Sequence, residues 1–186
     1  MAEKIFVTYL PGSDIGKSTA LRMQTIAHLY GFEVLTPYRI NHTNLTVETK
    51  ERIKKSRFVL GFFVPENGEH VDKKNVFFKE IQFANTKNIE SFVLVQEKDK
   101  SSAHQLFDSL KNVKIIDFDY LNPDDALDKL SDYLNELFKK PANNKMNKPQ
   151  KNSDNNIEKA LAYALISMAL GLLVYWFLSS LEEDLN

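Results

Sequence analysis

RFVLGFFV, residues 57–64, decides the fold class of this chain. Both alternating sets of positions in this stretch are apolar, so a strand here would be buried on both of its faces. That pattern is typical of a strand in the middle of a parallel sheet, because helices cover both sides of such a sheet. The stretch therefore predicts a central strand in an α/β domain.

Strand and helix signals alternate on either side of this stretch. Four more short apolar runs bounded by turn residues predict strands at residues 5–10, 32–35, 91–96 and 113–118. Helical spacing predicts helices at about 16–30, 46–55, from about 77 to 84, 101–110 and 123–138. Five strands alternating with five helices predict a flavodoxin-like, doubly wound, five-stranded parallel sheet.

The end of the chain differs sharply in composition. Residues 160–181 carry no charge, and as a helix they would be about 33 Å long at ~1.5 Å per residue, enough to cross a ~30 Å hydrocarbon core. Lysines precede this run and Glu182, Glu183 and Asp184 follow it, so the N-terminal part is expected in the cytoplasm. The alternative interpretation is a buried hairpin helix.

These patterns predict a single-pass membrane protein. Its four parts are an α/β domain at 1–140, a flexible linker rich in Asn, Lys and Pro at 141–156, a transmembrane helix at 157–181, and a short acidic tail at 182–186. The N-terminus has no apolar run long enough for a signal peptide.

Composition narrows the classes of partner. A formal net charge of −1 gives no basic stripe for nucleic acid, so none is expected. The chain has no cysteine, and its four histidines are scattered without metal-ligand spacing, so no metal site is expected. No resident cofactor is expected either.

One carboxylate is in an unusual position. In a helix, the neighbours of Glu80 three and four residues away would be Val76, Phe77, Phe83 and Ala84, which are all apolar. A carboxylate on an apolar helix face costs free energy unless it has a partner or a task, and desolvation would raise its pKa. Glu80 is therefore a candidate catalytic residue. The alternative is a glutamate near a helix start that complements the helix dipole or pairs with a nearby lysine.

The segment YLPGSDIGKST, residues 9–19, follows a strand and opens a helix in the manner of a phosphate-binding loop. However, only three residues separate Gly12 from Gly16, whereas that loop needs four. The third strand also ends in FFVPE, without the aspartate that would hold magnesium. Turn glycines before a helix N-terminus, which could receive a diphosphate, are the favoured interpretation.

Three segments resemble Toll/interleukin-1 receptor (TIR) domains. IFVTYL followed by Asp14 is similar to the first box of that family, IKKSRFVLGFFVPE to its third strand, and NVFFKEIQFANTKNIESFVLV to its next helix and fourth strand. The resemblance spans about residues 4–138, in order. Two departures are Phe77, where the family usually has tryptophan, and Thr8, where it usually has serine.

The resemblance implies a function for Glu80 and for five further residues. Enzymatic TIR domains use the helix glutamate, here Glu80, to cleave the bond between nicotinamide and ribose, so NAD would be the substrate. The substrate-binding residues would be Tyr9, Ser13, Asp14, Phe63 and Phe77. Such domains often complete their pocket with a neighbouring subunit, so self-association is expected. A bacterial immune effector or signal-producing enzyme is the expected biological class.

Two other functions remain open. GFEVLTPYRI and FKEIQFA also resemble nucleoside 2-deoxyribosyltransferases, whose nucleophile is an equivalent glutamate. The second alternative is a non-catalytic TIR-like module that binds partners or senses a nucleotide, with the membrane helix as its output.

Overall fold

A computed structural model describes most of the predicted α/β domain. The described residues are 3–11, 13, 17, 20, 21, 24, 32–39, 44–65, 71–118, 128, 129, 132, 133 and 136. Among these, no helix is long and apolar enough to cross a bilayer. The predicted linker, membrane helix and acidic tail lie outside the described residues.

Five strands form one sheet in which every neighbouring pair is parallel. The strands are β1 (Glu3–Tyr9), β2 (Phe32–Leu35), β3 (Phe58–Phe63), β4 (Glu90–Gln96) and β5 (Val113–Phe118). Their order across the sheet is β2-β1-β3-β4-β5. The prediction of a five-stranded parallel α/β sheet is confirmed, with strand bounds within two residues of those predicted.

Three helices follow their strands within the described residues. They are α1 (Val47–Lys54), α2 (Val71–Thr86) and α3 (Lys100–Phe107), and a short 3₁₀ helix at Glu97–Asp99 leads into α3. The helix predicted to begin near residue 77 begins at Val71 instead, because neither glycine nor proline occurs between Val71 and Thr86 to interrupt it. Most of the two remaining predicted helices, at 16–30 and 123–138, lies outside the described residues.

Strand β3 occupies the centre of the sheet, as its sequence predicts. All six of its residues are buried. On the face covered by the three helices, an apolar core joins the strands to the helices; its fully buried members include Phe6, Val59, Phe63, Val93, Ile53, Phe77, Ile81, Ala84 and Phe107. This core fixes the position of α2 over β1 and β3.

Gly61 in β3 allows α2 to come close to the sheet. A Cβ atom placed on Gly61 would lie 3.0 Å from Cζ of Phe77 and 3.4 Å from Cδ1 of Ile81, so any larger residue would push the helix away. In the strand register, Gly61 lies beside Thr8 of β1. Glu80, which lies between Phe77 and Ile81 in the sequence of α2, can therefore reach Thr8.

Candidate functional site

The strand order defines where a ligand site is expected. In the order β2-β1-β3-β4-β5, chain connections run in opposite directions on the two sides of the β1–β3 boundary. Open parallel sheets bind ligands at such a switch point, at the carboxyl ends of the strands. Thr8 and Tyr9 are the last two residues of β1 and therefore lie at this edge.

Glu80 reaches this edge from helix α2. It lies near the middle of the helix, one residue before Ile81, and its side chain is fully buried. The Thr8 hydroxyl donates a hydrogen bond to Oε2 of Glu80. Because Glu80 is more than two turns from the first residue of α2, the helix dipole does not explain its position. The interpretation of Glu80 as a helix-start residue is therefore wrong.

Arg39 supplies the counter-ion of Glu80. Its Nε donates to Oε1 of Glu80 over 3.1 Å and its Nη2 donates to Oε2 over 2.8 Å, so the guanidinium binds both carboxylate oxygens. Only 9% of the Arg39 side chain is exposed. The second hydrogen of Nη2 is within reach of two acceptors, the carbonyl oxygen of Tyr9 at 2.8 Å and the Thr8 hydroxyl oxygen at 3.1 Å. We call Thr8, Tyr9, Arg39 and Glu80 the Glu80 cluster.

Backbone contacts hold Arg39 in place. The preceding residue, Tyr38, donates its N–H to Oγ1 of Thr49 over 2.9 Å, and its carbonyl oxygen accepts from Oγ1 of Thr46 over 2.7 Å. Thr46 is also the N-cap of α1, where its hydroxyl accepts from the N–H of Thr49. The segment after β2 is thus attached to the start of a helix immediately before Arg39.

The electrostatics of the cluster follow from its burial. Burial raises the pKa of the Glu80 carboxyl above its ordinary value, while the charge of Arg39 and the hydrogen bonds from Arg39 and Thr8 oppose that rise. Burial also raises the pKa of the Tyr9 phenol; Arg39 opposes this shift and Glu80 adds to it. The Arg39 guanidinium lies over the Tyr9 ring, 5.1 Å from its centroid.

The structure brings some of the predicted site residues together. Tyr9 and Glu80 belong to one cluster. Ser13 is buried after the end of β1, where its carbonyl oxygen accepts a helix-type hydrogen bond from the N–H of Lys17 over 3.0 Å. Asp14 lies outside the described residues.

Phe63 and Phe77 have a different environment. Both are fully buried, and their ring centroids lie 6.0 Å apart. Phe107 of α3 packs against both rings in an edge-to-face manner. We call Phe63, Phe77 and Phe107 the phenylalanine cluster. Their predicted contact with a substrate stays a prediction, since packing within the core accounts for their position without one.

Arg39 is not among the site residues predicted from the sequence. The alternative partner predicted for Glu80 is a nearby lysine, whereas the structure supplies Arg39 from the segment after β2. A signal was present: β2 pairs with β1, so a cation placed shortly after β2 lies near the end of β1. Arg39 is the first basic residue after β2, and a buried carboxylate needs such a partner.

A carboxylate at a switch point of a parallel sheet can stabilise or attack a cationic centre in a bound substrate. Within the part of the chain that the structure describes, no three His, Asp or Glu side chains lie together in a way that could hold a metal ion. Neither a known protein-family model nor a curated protein matches the chain.

Proposed function

We propose that this chain is a membrane-tethered, TIR-like enzyme that cleaves the N-glycosidic bond between nicotinamide and ribose in NAD. The observation that carries the proposal is the Glu80 carboxylate, which is fully buried and hydrogen-bonded to the end of β1 at the switch point of a parallel sheet. The doubly wound, TIR-like form of the fold is part of the same proposal.

The reaction needs no proton donor for its leaving group. The C1′–N bond of NAD breaks with its electron pair passing to the pyridinium nitrogen, so nicotinamide leaves as a neutral base. Positive charge then develops on the ribose C1′, where the Glu80 carboxylate stabilises it or attacks it. Water completes the reaction, giving ADP-ribose and a proton.

The neighbours of Glu80 suit this role. The Thr8 hydroxyl and the Arg39 guanidinium both donate to the carboxylate, which favours its ionised form against the effect of burial. Tyr9 at the end of β1 provides an aromatic ring against the guanidinium of Arg39. Tyr9, Ser13, Asp14, Phe63 and Phe77 remain the proposed substrate-binding residues.

The tail gives the enzyme its place in the cell. A membrane helix at 157–181 holds the domain on the cytoplasmic side and raises its local concentration, which favours self-association and a completed pocket. A bacterial immune effector that depletes NAD, or an enzyme that produces a nucleotide signal, would gain from such control.

A second candidate function is a non-catalytic interaction or nucleotide-sensing module. The observation in its favour is that Arg39 occupies both oxygens of Glu80 and that the residue has no exposed surface. A buried ion pair of this kind also serves to specify a fold. In this candidate the membrane helix would carry the output.

Nucleotide analysis of cells expressing the full chain or its Glu80→Ala variant separates the two candidates. We expect NAD loss and nicotinamide release with the native chain and neither with the variant, at equal amounts of membrane-bound protein. Undiminished NAD with the native chain, also after its purification and addition of NAD, would favour the non-catalytic module. Release of a base from deoxynucleosides but not from NAD would favour the deoxyribosyltransferase alternative.

A further inference from the structure

The Glu80 cluster contains more contacts than a simple ion pair requires. Arg39 donates through two different nitrogens to the two oxygens of Glu80, a bidentate geometry that fixes the plane of the carboxylate. The same guanidinium is within hydrogen-bonding distance of the Tyr9 carbonyl oxygen, at 2.8 Å. One side chain therefore ties the carboxylate of α2 to the end of β1.

Arg39 is itself held from two directions. Its backbone follows Tyr38, whose N–H and carbonyl group are both bonded to threonines at the start of α1. Arg52 of α1 donates from Nη1 to the carbonyl oxygen of Thr36 over 2.8 Å, two residues before Tyr38. The ring of Tyr9 supports the guanidinium from β1. A cation fixed in this way can orient another group, because it has little freedom of its own.

We infer that Arg39 is a positioning residue for the proposed reaction, which holds the Glu80 carboxylate in one orientation at the end of β1. This inference rests on the proposed function, in which Glu80 is the reacting carboxylate. Misplacing a reacting group by about 1 Å costs on the order of 10²-fold in rate. Arg39 thus contributes to catalysis without contacting the substrate.

The charge of Arg39 has a second consequence. Among the described residues, the charged and titratable groups that face Glu80 are Arg39, from the segment after β2, and Tyr9 of β1. Burial raises the pKa of Glu80, and Arg39 opposes that rise. Cleavage needs the ionised form of Glu80. Activity is therefore present above the pKa of Glu80 and is lost as the pH falls through that pKa. Without Arg39, that loss should occur at a higher pH.

The test uses the full-length chain and the variants Arg39→Met, Arg39→Lys and Lys54→Met. In Arg39→Met we expect kcat for NAD to fall about 10²-fold per folded molecule, KM to change less than about threefold, and the acidic limb of the pH profile to move to higher pH. Arg39→Lys keeps the charge without the bidentate geometry, so the limb should stay near its native pH while kcat remains reduced.

Lys54→Met is the matched control, because Lys54 also pairs with a glutamate, but that pair with Glu51 is exposed and lies within α1. It should keep native kcat and the native pH profile. If Arg39→Met cleaves NAD as well as the native chain, with an unchanged pH profile, Arg39 is only structural. Faster cleavage by Arg39→Met would mean that Arg39 blocks the carboxylate, and it too would overturn the inference.

A direct titration keeps this inference separable from the proposed function. In full-length protein with ¹³C-labelled glutamate carboxyls, the Glu80 signal is assigned by its absence in Glu80→Gln. We expect its midpoint to lie at a higher pH in Arg39→Met than in the native chain. If the native chain cleaves neither NAD nor nucleosides, the proposed function fails, whereas an unchanged midpoint shows that Arg39 does not control the carboxylate. Should Arg39→Met not fold, kcat of Arg39→Lys decides: a reduced kcat with the midpoint near its native pH supports the positioning role, and a native kcat overturns it.

Discussion

Two clusters lie next to each other beneath helix α2, and one is apolar whereas the other is charged and hydrogen-bonded. The phenylalanine cluster is wholly apolar and joins β3, α2 and α3 through ring contacts. The Glu80 cluster is an ion pair with hydrogen bonds that joins β1, α2 and the segment after β2. Gly61 separates them, since Phe77 lies over it and Thr8 pairs beside it.

This contrast indicates which cluster is expected to stabilise the domain and which is expected to take part in cleavage. Burying aromatic rings stabilises a fold, and removing one leaves a cavity. A buried ion pair contributes little net stability, because desolvation of its charges offsets their attraction. We therefore expect changes in the phenylalanine cluster to lower stability, and changes in the Glu80 cluster to lower cleavage.

The largest expected effect on stability is that of Phe77→Ala. Phe77 is fully buried and contacts the rings of Phe63 and Phe107, so its removal should lower the free energy of unfolding by about 3–5 kcal/mol. Thermal or denaturant unfolding measures the change. Phe78→Ala is the control, because Phe78 is only partly buried and should cost less. Native stability combined with lost NAD cleavage in Phe77→Ala would instead support the substrate contact predicted from the sequence.

Gly61→Ala tests the close approach of α2 to the sheet. The added methyl group would lie 3.0 Å from Cζ of Phe77, and the fully buried ring has little room to move. We expect a loss of about 1–3 kcal/mol in the free energy of unfolding. Since α2 carries Glu80, cleavage per folded molecule should fall as well. An unchanged melting temperature would show that the helix lies farther from β3 than the structure indicates.

Thr8→Val is expected to have a smaller effect on stability than Phe77→Ala, because it keeps the shape of the side chain and removes one hydrogen bond to Glu80. Arg39 still satisfies both carboxylate oxygens, so the loss should be about 1 kcal/mol. Cleavage should nevertheless fall, because one donor to the carboxylate is gone. Thr8→Ser keeps the hydroxyl and should behave like the native chain. Equal cleavage by Thr8→Val and Thr8→Ser would show that the Thr8 hydroxyl does not contribute to cleavage.

Much of the fold could be predicted because its signals are local. The doubly apolar run at 57–64 matches a central strand that is buried throughout, and the other strands are short apolar runs between turn residues. The start of α2 is predicted too late in the sequence, because polar residues such as those before Asn75 are typical of loops. Neither glycine nor proline, however, occurs between Val71 and Thr86. Polar residues permit either state, and the contacts of the rest of the helix decide between them.

Only half of the Glu80 cluster could be predicted. Glu80 stands out because a carboxylate on an apolar helix face is costly, and the structure confirms that it is fully buried. Arg39 does not stand out, because an arginine after a strand is common and its role depends on which strand lies beside β1. When the order of the strands alone brings two residues together, the sequence around either residue does not reveal the contact.

The proposed role of Glu80 is best tested by Glu80→Gln in the full-length chain, with nicotinamide release from NAD and the melting temperature measured on the same preparation. Removing the charge relieves part of the cost of burial, while Arg39 loses its counter-ion, so these effects oppose each other and the melting temperature should change little. Cleavage should fall on the order of 10³-fold or more. Glu48→Gln, at an exposed ion pair on α1, should retain native cleavage. A folded Glu80→Gln protein that cleaves NAD at the native rate would contradict a catalytic role for Glu80.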